Sequence, residues 1–320
     1  MPHVATRVLA VINPHASAGF AAAAWPAIAA ALRGRGASLE TIETRGDGRD
    51  IDRIAAAIAA GRPGIVLGAG GDGTLSAVAT AMMRCPLPTA AALAILPLGT
   101  ANNVARSLGL LSCRQAGDRG IEVALAATLQ GRTQPMDVGE VRLDDAAHYF
   151  VGSFAIGMDA DILVTRNRYH QRLGSAVGGY PLYLWSCAVN LLRRHSTTAR
   201  LQIDGVERTV RTYNLLITNT ALYAGEFRFD AASVSDDGYV DLQVFTGPLP
   251  YVQGFVAAWR RHLRFLRGRA VQPPQGLLRV RAVDIALAAP VACQIDGEEA
   301  GATQACAVRV LPRALGVRVL

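Results

Sequence analysis

The segment richest in chemistry is Gly68-Ala69-Gly70-Gly71-Asp72-Gly73-Thr74-Leu75. It follows a short apolar run, Gly64 to Leu67, and opens a helical one, Leu75 to Met83. Glycines at such a turn let backbone N–H groups approach a polyphosphate without Cβ interference, and the helix N-terminus adds partial positive charge. Asp72 is placed to ligate or orient a nucleotide-bound Mg²⁺ through water, and Thr74 to donate to phosphate. An ordinary turn capped by Asp needs fewer than the four glycines found between Gly68 and Gly73. No Gly-Lys-Ser/Thr follows, so this is not a Walker A loop. The glycine spacing also differs from the dinucleotide fingerprint.

A second polar turn is Pro97-Leu98-Gly99-Thr100-Ala101-Asn102-Asn103-Val104-Ala105-Arg106, after the apolar run Leu93 to Leu96. A third, Asn13-Pro14-His15-Ala16-Ser17-Ala18-Gly19, leaves the apolar run Val8 to Ile12. Each loop alone is a weak signal. Together, at the C-terminal ends of parallel strands, they predict a nucleotide site with Thr100 and Asn102 facing the same crevice as Asp72.

The elements that must position these loops alternate. Strand-like runs at Val8 to Ile12, Leu39 to Glu43, Gly64 to Leu67 and Leu93 to Leu96 are interleaved with helical runs at Phe20 to Leu32, Asp50 to Ala60, Leu75 to Met83 and Ala101 to Leu108. Alternation of this kind implies a parallel, doubly wound α/β sheet. Near Met136 the pattern changes to short strands at Val138 to Val141, Tyr149 to Ile156, Ala199 to Ile203, Arg211 to Thr218, Tyr239 to Phe245, Leu278 to Ala282, Asp284 to Leu287 and Ala292 to Ile295. These predict a mainly antiparallel β-sandwich, interrupted by helices near Tyr180 to Arg194 and Pro250 to Arg267. The domains are therefore expected at 1–136, completed by 306–320, and at 137–305.

Composition narrows the classes. The chain has 320 residues, 51% hydrophobic and 18% charged, which excludes a disordered chain. Its net charge is +7, carried by 32 basic side chains that are all Arg. The excess favours anionic partners such as nucleotides or acidic membrane surfaces. Aromatics are only 6%, the arginines are scattered and no recognition motif appears, which argues against nucleic acid. Five cysteines without a Cys-x-x-Cys pair fit a reducing, cytoplasmic compartment, and no signal peptide is evident. The uncharged stretch Leu173 to Leu192 contains glycines and a proline, so a loop followed by a buried or interfacial helix is expected rather than a membrane span.

The three loops, in this order and spacing, resemble the diacylglycerol kinase catalytic domain, and more narrowly the soluble bacterial lipid kinases of the YegS/DgkB type, relatives of sphingosine kinases. The likeness continues through Met136-Asp137-Val138-Gly139, Ser153 to Ala160, Ser235-Asp236-Asp237-Gly238-Tyr239-Val240-Asp241-Leu242 and Gln294-Ile295-Asp296-Gly297-Glu298. It implies ATP bound between two domains and a γ-phosphoryl group passed to a lipid hydroxyl. By position, Asn13, Pro14, His15, Ala16, Ser17, Thr44, Gly70, Gly71, Asp72, Gly73, Thr74, Leu75, Ser76 and Thr100 would contact nucleotide, with Asn102 and Asn103 in the same loop. Asp296 and Glu298 would serve as the base pair at the acceptor hydroxyl, if Gly297 breaks the pleat. A structural Mg²⁺ would take Asp237 with backbone oxygens of Val234 and Tyr239.

There are departures. The family usually has Asp at position 103, so the Asn there removes an acidic contribution to the magnesium–water network. Ser153 stands where Asn is common, and Arg172 where Lys is frequent. NAD kinases share the Gly-Gly-Asp-Gly-Thr loop, but the Asp-Gly-Glu and Asn-Asn-Val-Ala-Arg segments lean away from them. A nucleotide- or lipid-binding protein without phosphotransfer is the other alternative, kept open by Asn103. The basic segment Arg260, Arg261, His262, Arg264, Arg267 and Arg269, with Trp259, Leu263, Phe265 and Leu266, is expected to sit on an anionic membrane surface. Leu182, Tyr183, Leu184, Trp185 and Val189 read either as core packing or as the lining of an acyl-chain cleft. A homodimer is compatible with the sequence.

Overall fold

The structure is a computed structural model that describes residues 6–320 except 86–90, 174–179, 195, 231–234, 272–273 and 275, with side chains left out at 171–173 and 180. Two compact units emerge: residues up to Val138 with Pro312–Leu320, and Gly139–Leu311. The chain crosses between them inside two strands, at Val138 rather than residue 136 and at Pro312 rather than Cys306.

The first unit runs β1 (Thr6–Ile12), α1 (Phe20–Gly34), β2 (Ala37–Glu43), α2 (Asp50–Gly61), β3 (Ile65–Gly70), α3 (Asp72–Arg84), β4 (Ala92–Pro97), α4 (Asn103–Ser107), α5 (Cys113–Ala116) and α6 (Asp118–Gln130). The strands pair in parallel in the order β2-β1-β3-β4. β3 and β4 are buried along their whole length, as a parallel strand covered on both faces by helices must be. Val8, Ala10, Ile12, Leu67 and Leu96 pack against Ile28 and Leu32 of α1 and Leu125 of α6. The order reverses between β1 and β3, the place where such sheets bind ligands.

The second unit begins within β5 (Arg132–Leu143) and continues through β6 (Ala146–Phe150), β7 (Ser153–Gly157), α7 (Met158–Leu173), α8 (Tyr180–Arg193), β8 (Thr197–Ile203), β9 (Val206–Thr212), β10 (Asn214–Thr218), β11 (Leu222–Tyr223), β12 (Phe227–Arg228), β13 (Val240–Phe245), α9 (Pro248–Leu266), β14 (Leu278–Val280), β15 (Ala282–Ile295) and β16 (Glu298–Val319). The far end of β16 returns to the first unit, where Val317 pairs in parallel with Leu93.

Two antiparallel layers make the sandwich. One is β14-β13-β10-β7 with the last residues of β15. The other is β9-β8 with the first half of β15 and its partner β16. Register shifts in β15 between Ala286 and Val291, and again between Ala292 and Gln294, let one continuous strand serve both layers. The expected pair of strands, Asp284 to Leu287 and Ala292 to Ile295, is thus a single irregular one. Phe154, Leu215, Ile217, Leu242, Val283 and Ile285 fill the space between the layers. On the outer face of β7 and β10, Met158 and Ile162 of α7 and Tyr251 of α9 pack with Tyr213 and Phe245 in an aromatic cluster.

α6 and α7 were not expected. α7 carries Arg166, Asn167, Arg168 and His170 in its second half, which blurs the helical period. α8 is the helix expected near Tyr180 to Arg194, and residues 174–179 before it lie outside the described ones. Among the described residues, no helix is long and apolar enough to cross a membrane.

Gly139 faces Phe150 across the β5–β6 pair. A Cβ at position 139 would lie 2.0 Å from Phe150 Cζ, so the ring occupies the space that a side chain would need. Gly139→Ala must displace a fully buried ring and should lower unfolding free energy by about 1–3 kcal/mol. Urea denaturation checks this, and an unchanged midpoint would show that Phe150 has room to move.

Candidate active site

Each predicted nucleotide loop follows a strand of the parallel sheet: Asn13 to Gly19 after β1, Thr44 after β2, Gly71 after β3 and Leu98 to Asn102 after β4. β3 ends at Gly70 and α3 begins at Asp72, so the glycine-rich turn is shorter than its sequence suggested. Gly73, Thr74, Leu75 and Ser76 already belong to the helix. Gly71 is its N-cap, and no side chain caps the N-terminal donors.

The loops are tied together by backbone. The N–H groups of Leu98 and Gly99 both donate to Gly70 O, at 2.9 and 3.0 Å, and Asn13 N–H donates to Ala69 O at 3.0 Å. Ser17 Oγ donates to Leu98 O at 2.8 Å. Asn13 Oδ1 accepts from His15 N–H at 3.0 Å, closing the first loop as an Asx turn. Thr44 N–H donates to Ile12 O at 2.8 Å, holding the end of β2 beside β1. A Cβ on Gly99 would fall 2.3 Å from Gly71 Cα, and one on Gly70 would fall 2.3 Å from Thr74 Oγ1. Only glycine fits this cradle.

Asp72 points across to the β4 loop. Its carboxylate accepts from Asn103 Nδ2 at 3.2 Å and from Val104 N–H at 3.3 Å. Burial raises its pKa, and these hydrogen bonds, led by backbone ones, only partly oppose the shift. Thr100 is exposed and reachable. Two expected contacts turn elsewhere. Asn102, in the left-handed conformation, is buried and donates to Gly99 O at 2.8 Å, so its side chain staples the loop from inside. Leu75 is a core residue against Gly68, with only its backbone available to a ligand.

The two expected acids of the second unit are unlike. Asp296 and Gly297, at φ 48 and 85, form the two-residue turn between β15 and β16, with Ile295 paired to Glu298. Gly297 does break the pleat. Asp296 folds inward: its Oδ1 accepts from Gly152 N–H and Ser153 N–H, both at 2.8 Å, and its Oδ2 from Val151 N–H at 3.0 Å. Three such donors occupy both carboxylate oxygens and fix the side chain against the segment from Val151 to Ser153. Glu298 is exposed, yet the protein packed about its carboxyl raises its pKa, Arg166 pulling it down and Glu299 adding to the rise.

The expected structural metal does not fit. Asp237 pairs with Arg279 and accepts from Tyr239 N–H at 3.0 Å. The guanidinium groups of Arg279 and Arg281 lie 4.8 and 4.7 Å from the Tyr239 ring centre. Two fixed positive charges at this turn repel a cation, and Val234 lies outside the described residues. Among the described residues, no three His, Cys, Asp or Glu side chains are grouped to hold a metal. Asp72 is different: a single carboxylate beside a phosphate cradle suits Mg²⁺, which keeps waters and takes substrate phosphates as its other ligands.

Comparison with known proteins bears on the same residues. The diacylglycerol kinase catalytic domain family matches residues 7–141. The YegS C-terminal NAD kinase beta sandwich-like domain family matches residues 152–319. The chain belongs to the family that carries the YegS C-terminal domain, here behind a diacylglycerol kinase catalytic domain match. Proteins named "Probable lipid kinase YegS-like" from Yersinia pestis (strain Pestoides F) and Yersinia pseudotuberculosis (serotype O:1b, strain IP 31758) are 33% identical over 119 residues, which is 37% of this chain and 36% of theirs. The match thus spans about a third of the length of these relatives. A crystal structure of a diacylglycerol kinase from Bacillus anthracis (strain Sterne) shares the fold, with a TM-score of 0.68 at 17% identity over 98% of this chain and 97% of that one. A second solved structure from that organism gives 0.74 at 19% identity, with the same coverage.

Within this YegS-like chain, sequence reasoning gave Asp159 no role. It is fully buried at the start of α7, and it accepts from Tyr251 Oη at 2.5 Å and Asn214 Nδ2 at 2.8 Å. Burial raises its pKa, against hydrogen bonds from Tyr251, Asn214 and Tyr223, and pushes both phenols well up. Asp159 ties α7, β10 and α9 to one point. The available signal was an acid inside the apolar run Phe154 to Ile162. Along α8, Leu182 is buried and Tyr183 packs on the aromatic cluster, as core packing requires, while Leu184 and Trp185 are exposed.

The raised pKa of Asp72 has a sign that can be checked. The folded protein keeps this proton above the ordinary value of 3.8 at which the unfolded chain loses it. Stability therefore falls as pH rises from that value through the raised one. Asp72→Asn should flatten this loss, measured by thermal melts of both proteins between about pH 4 and pH 7. Parallel curves would show that Asp72 does not titrate abnormally.

Proposed function

We propose that this chain is an ATP-dependent kinase that passes the γ-phosphoryl group to a hydroxyl of a diacylglycerol-like lipid. The observation that carries the reading is the glycine cradle at Gly70, Gly71 and Gly99, set against the uncapped N-terminus of α3. A triphosphate satisfies both features, because its oxygens accept from backbone donors that side chains leave free. Asn13, His15, Ser17 and Thr100 line the loops that would hold the nucleotide. When bound beside Asp72, Mg²⁺ would neutralise phosphate charge.

In the second unit, Glu298 is the better base. Its pKa is raised by burial, which strengthens it as a base, whereas Asp296 is committed to three N–H donors. The acceptor O–H gives its proton to Glu298, its oxygen bonds to the γ-phosphorus, and the bond to the β–γ bridging oxygen breaks to release ADP. Asp296 positions the turn that carries Glu298. The lipid would be met at a membrane: α9 exposes Leu249, Val252, Val256, Trp259 and Leu266 on one stripe, flanked by arginines.

Asn103 favours a second reading, that the chain binds nucleotide with little turnover, since the turn holds one carboxylate where the resemblance implies two. Incubation with radiolabelled ATP, Mg²⁺ and lipid extracts separates the readings. A labelled lipid is expected, and Glu298→Gln should lower its rate by roughly 10²–10⁴-fold with nucleotide affinity kept. The wild-type rate should rise with pH through a carboxyl titration displaced above the ordinary glutamate range. Asp296→Asn should lower both rate and melting temperature. If no lipid is labelled, and Asn103→Asp restores none, the kinase reading fails.

A further inference from the structure

The second unit holds a pocket of about 750 Å³ between one face of α9 and the residues of β13. That volume is within the range of small-molecule sites, about 300–1,000 Å³. Along α9 the lining side recurs as Gln253, Gly254, Ala257, Arg261 and Arg264, one helical stripe distinct from the buried stripe of Tyr251, Ala258 and His262. The small residues open the space, and Arg261 and Arg264, about one turn apart, line it. None of the described lining residues is acidic, and the undescribed segments contain no Asp or Glu. Among the described residues Arg264 makes no ion pair, and Arg261 is only influenced by the charge of Asp230 while partial burial lowers its pKa. Gln243 of β13 lines the same pocket, and its Oε1 is buried with no hydrogen-bond partner among the described residues.

These features have one common solution. Paired guanidinium groups take phosphate oxygens through charge-assisted hydrogen bonds, and a buried amide oxygen needs a donor such as a hydroxyl. We infer that α9 and β13 form a second anion site, for a phosphate ester that also carries a hydroxyl group. This site is separate from the residues assigned to nucleotide and proton transfer and does not rest on the kinase reading. Its ligand is either a free phosphate ester or the headgroup of an anionic lipid, the latter presented as the apolar stripe of α9 enters a membrane.

The test uses the full chain and two probes: sn-glycerol 3-phosphate followed by calorimetry, and phosphatidylglycerol or phosphatidylcholine vesicles followed by co-sedimentation. Arg261→Gln with Arg264→Gln is compared with Arg260→Gln plus Arg267→Gln, which removes the same charge from outside the pocket. The pocket pair should weaken binding by about tenfold or more, and the control pair by about twofold or less. Pocket-specific loss with sn-glycerol 3-phosphate identifies a free ester. The same loss seen only with phosphatidylglycerol vesicles identifies a lipid headgroup. Equal losses in the two pairs, or no binding of either probe by the wild type, overturn the proposal. Should the double variant fail to fold, Arg264→Gln alone changes an exposed side chain, and wild-type affinity in that variant overturns it equally.

Discussion

The ligand-facing edge of the first unit depends on two backbones lying against each other at Gly71 and Gly99. A single methyl group on Gly99 would sit 2.3 Å from Gly71 Cα. That contact lets one carbonyl, Gly70 O, accept from both Leu98 N–H and Gly99 N–H, which joins the end of β3 to the loop after β4. The joint then sets everything nearby. Leu98 O receives Ser17 Oγ and so fixes the loop after β1, and Asp72 meets Asn103 and Val104. A rigid arrangement of donors around an open space is what a polyphosphate needs, since its binding gains little if the donors must first be ordered. The glycines serve close approach here more than conformational freedom.

The second unit fixes its acids by the reverse device, a turn that requires left-handed backbone. Asp296 and Gly297 both take positive φ, the geometry of a tight hairpin whose twist matches its strands. Asp296 tolerates that conformation because its side chain immediately finds three N–H donors on the segment from Val151 to Ser153. Its own N–H donates to Ser153 O at 2.8 Å, completing the junction. Glu298, the first residue of β16, inherits a fixed starting point while its side chain stays accessible. Burial and hydrogen bonding thus divide two neighbouring acids into an anchor and a candidate base, a division of the kind that separates acid–base roles in enzymes.

How far the sequence reaches follows from which interactions are local. The parallel sheet was legible because β1, β3 and β4 are continuous apolar runs followed by glycine- or asparagine-bearing loops, and the loops could be placed at its C-terminal edge on topology alone. The antiparallel character of the second unit was legible from short strands separated by turn residues. The bend in β15 was not, because a register shift depends on partners many residues away. Nor was the inward turn of Asn102, which is decided by a left-handed φ and by the carbonyl of Gly99. The resemblance made Asp296 and Glu298 a pair, where their spacing alone reads as a turn with solvated acids, and only the position of the β6–β7 segment separates them. Asp159 lay in a recognised segment but had no role there, because its partners, Asn214 and Tyr251, lie far along the chain.

The arginine-rich, lysine-free composition also bears on the metal question. The resemblance implies a second carboxylate beside magnesium at position 103 and a structural magnesium on Asp237, and at each point this chain places a hydrogen-bond donor. Asn103 donates its amide to Asp72, and Arg279 donates its guanidinium to Asp237. The second replacement is complete: a guanidinium beside the carboxylate, with Arg281 stacked on the same tyrosine, supplies as fixed charge what a bound cation would supply, and needs no ion. The first is partial. An amide carries no charge, and its hydrogen bond only partly offsets the burial that raises the pKa of Asp72. A buried carboxylate in that condition gains most from a cation that arrives with its own anionic ligands. Nucleotide and Mg²⁺ entering together therefore suit this turn better than Mg²⁺ entering alone.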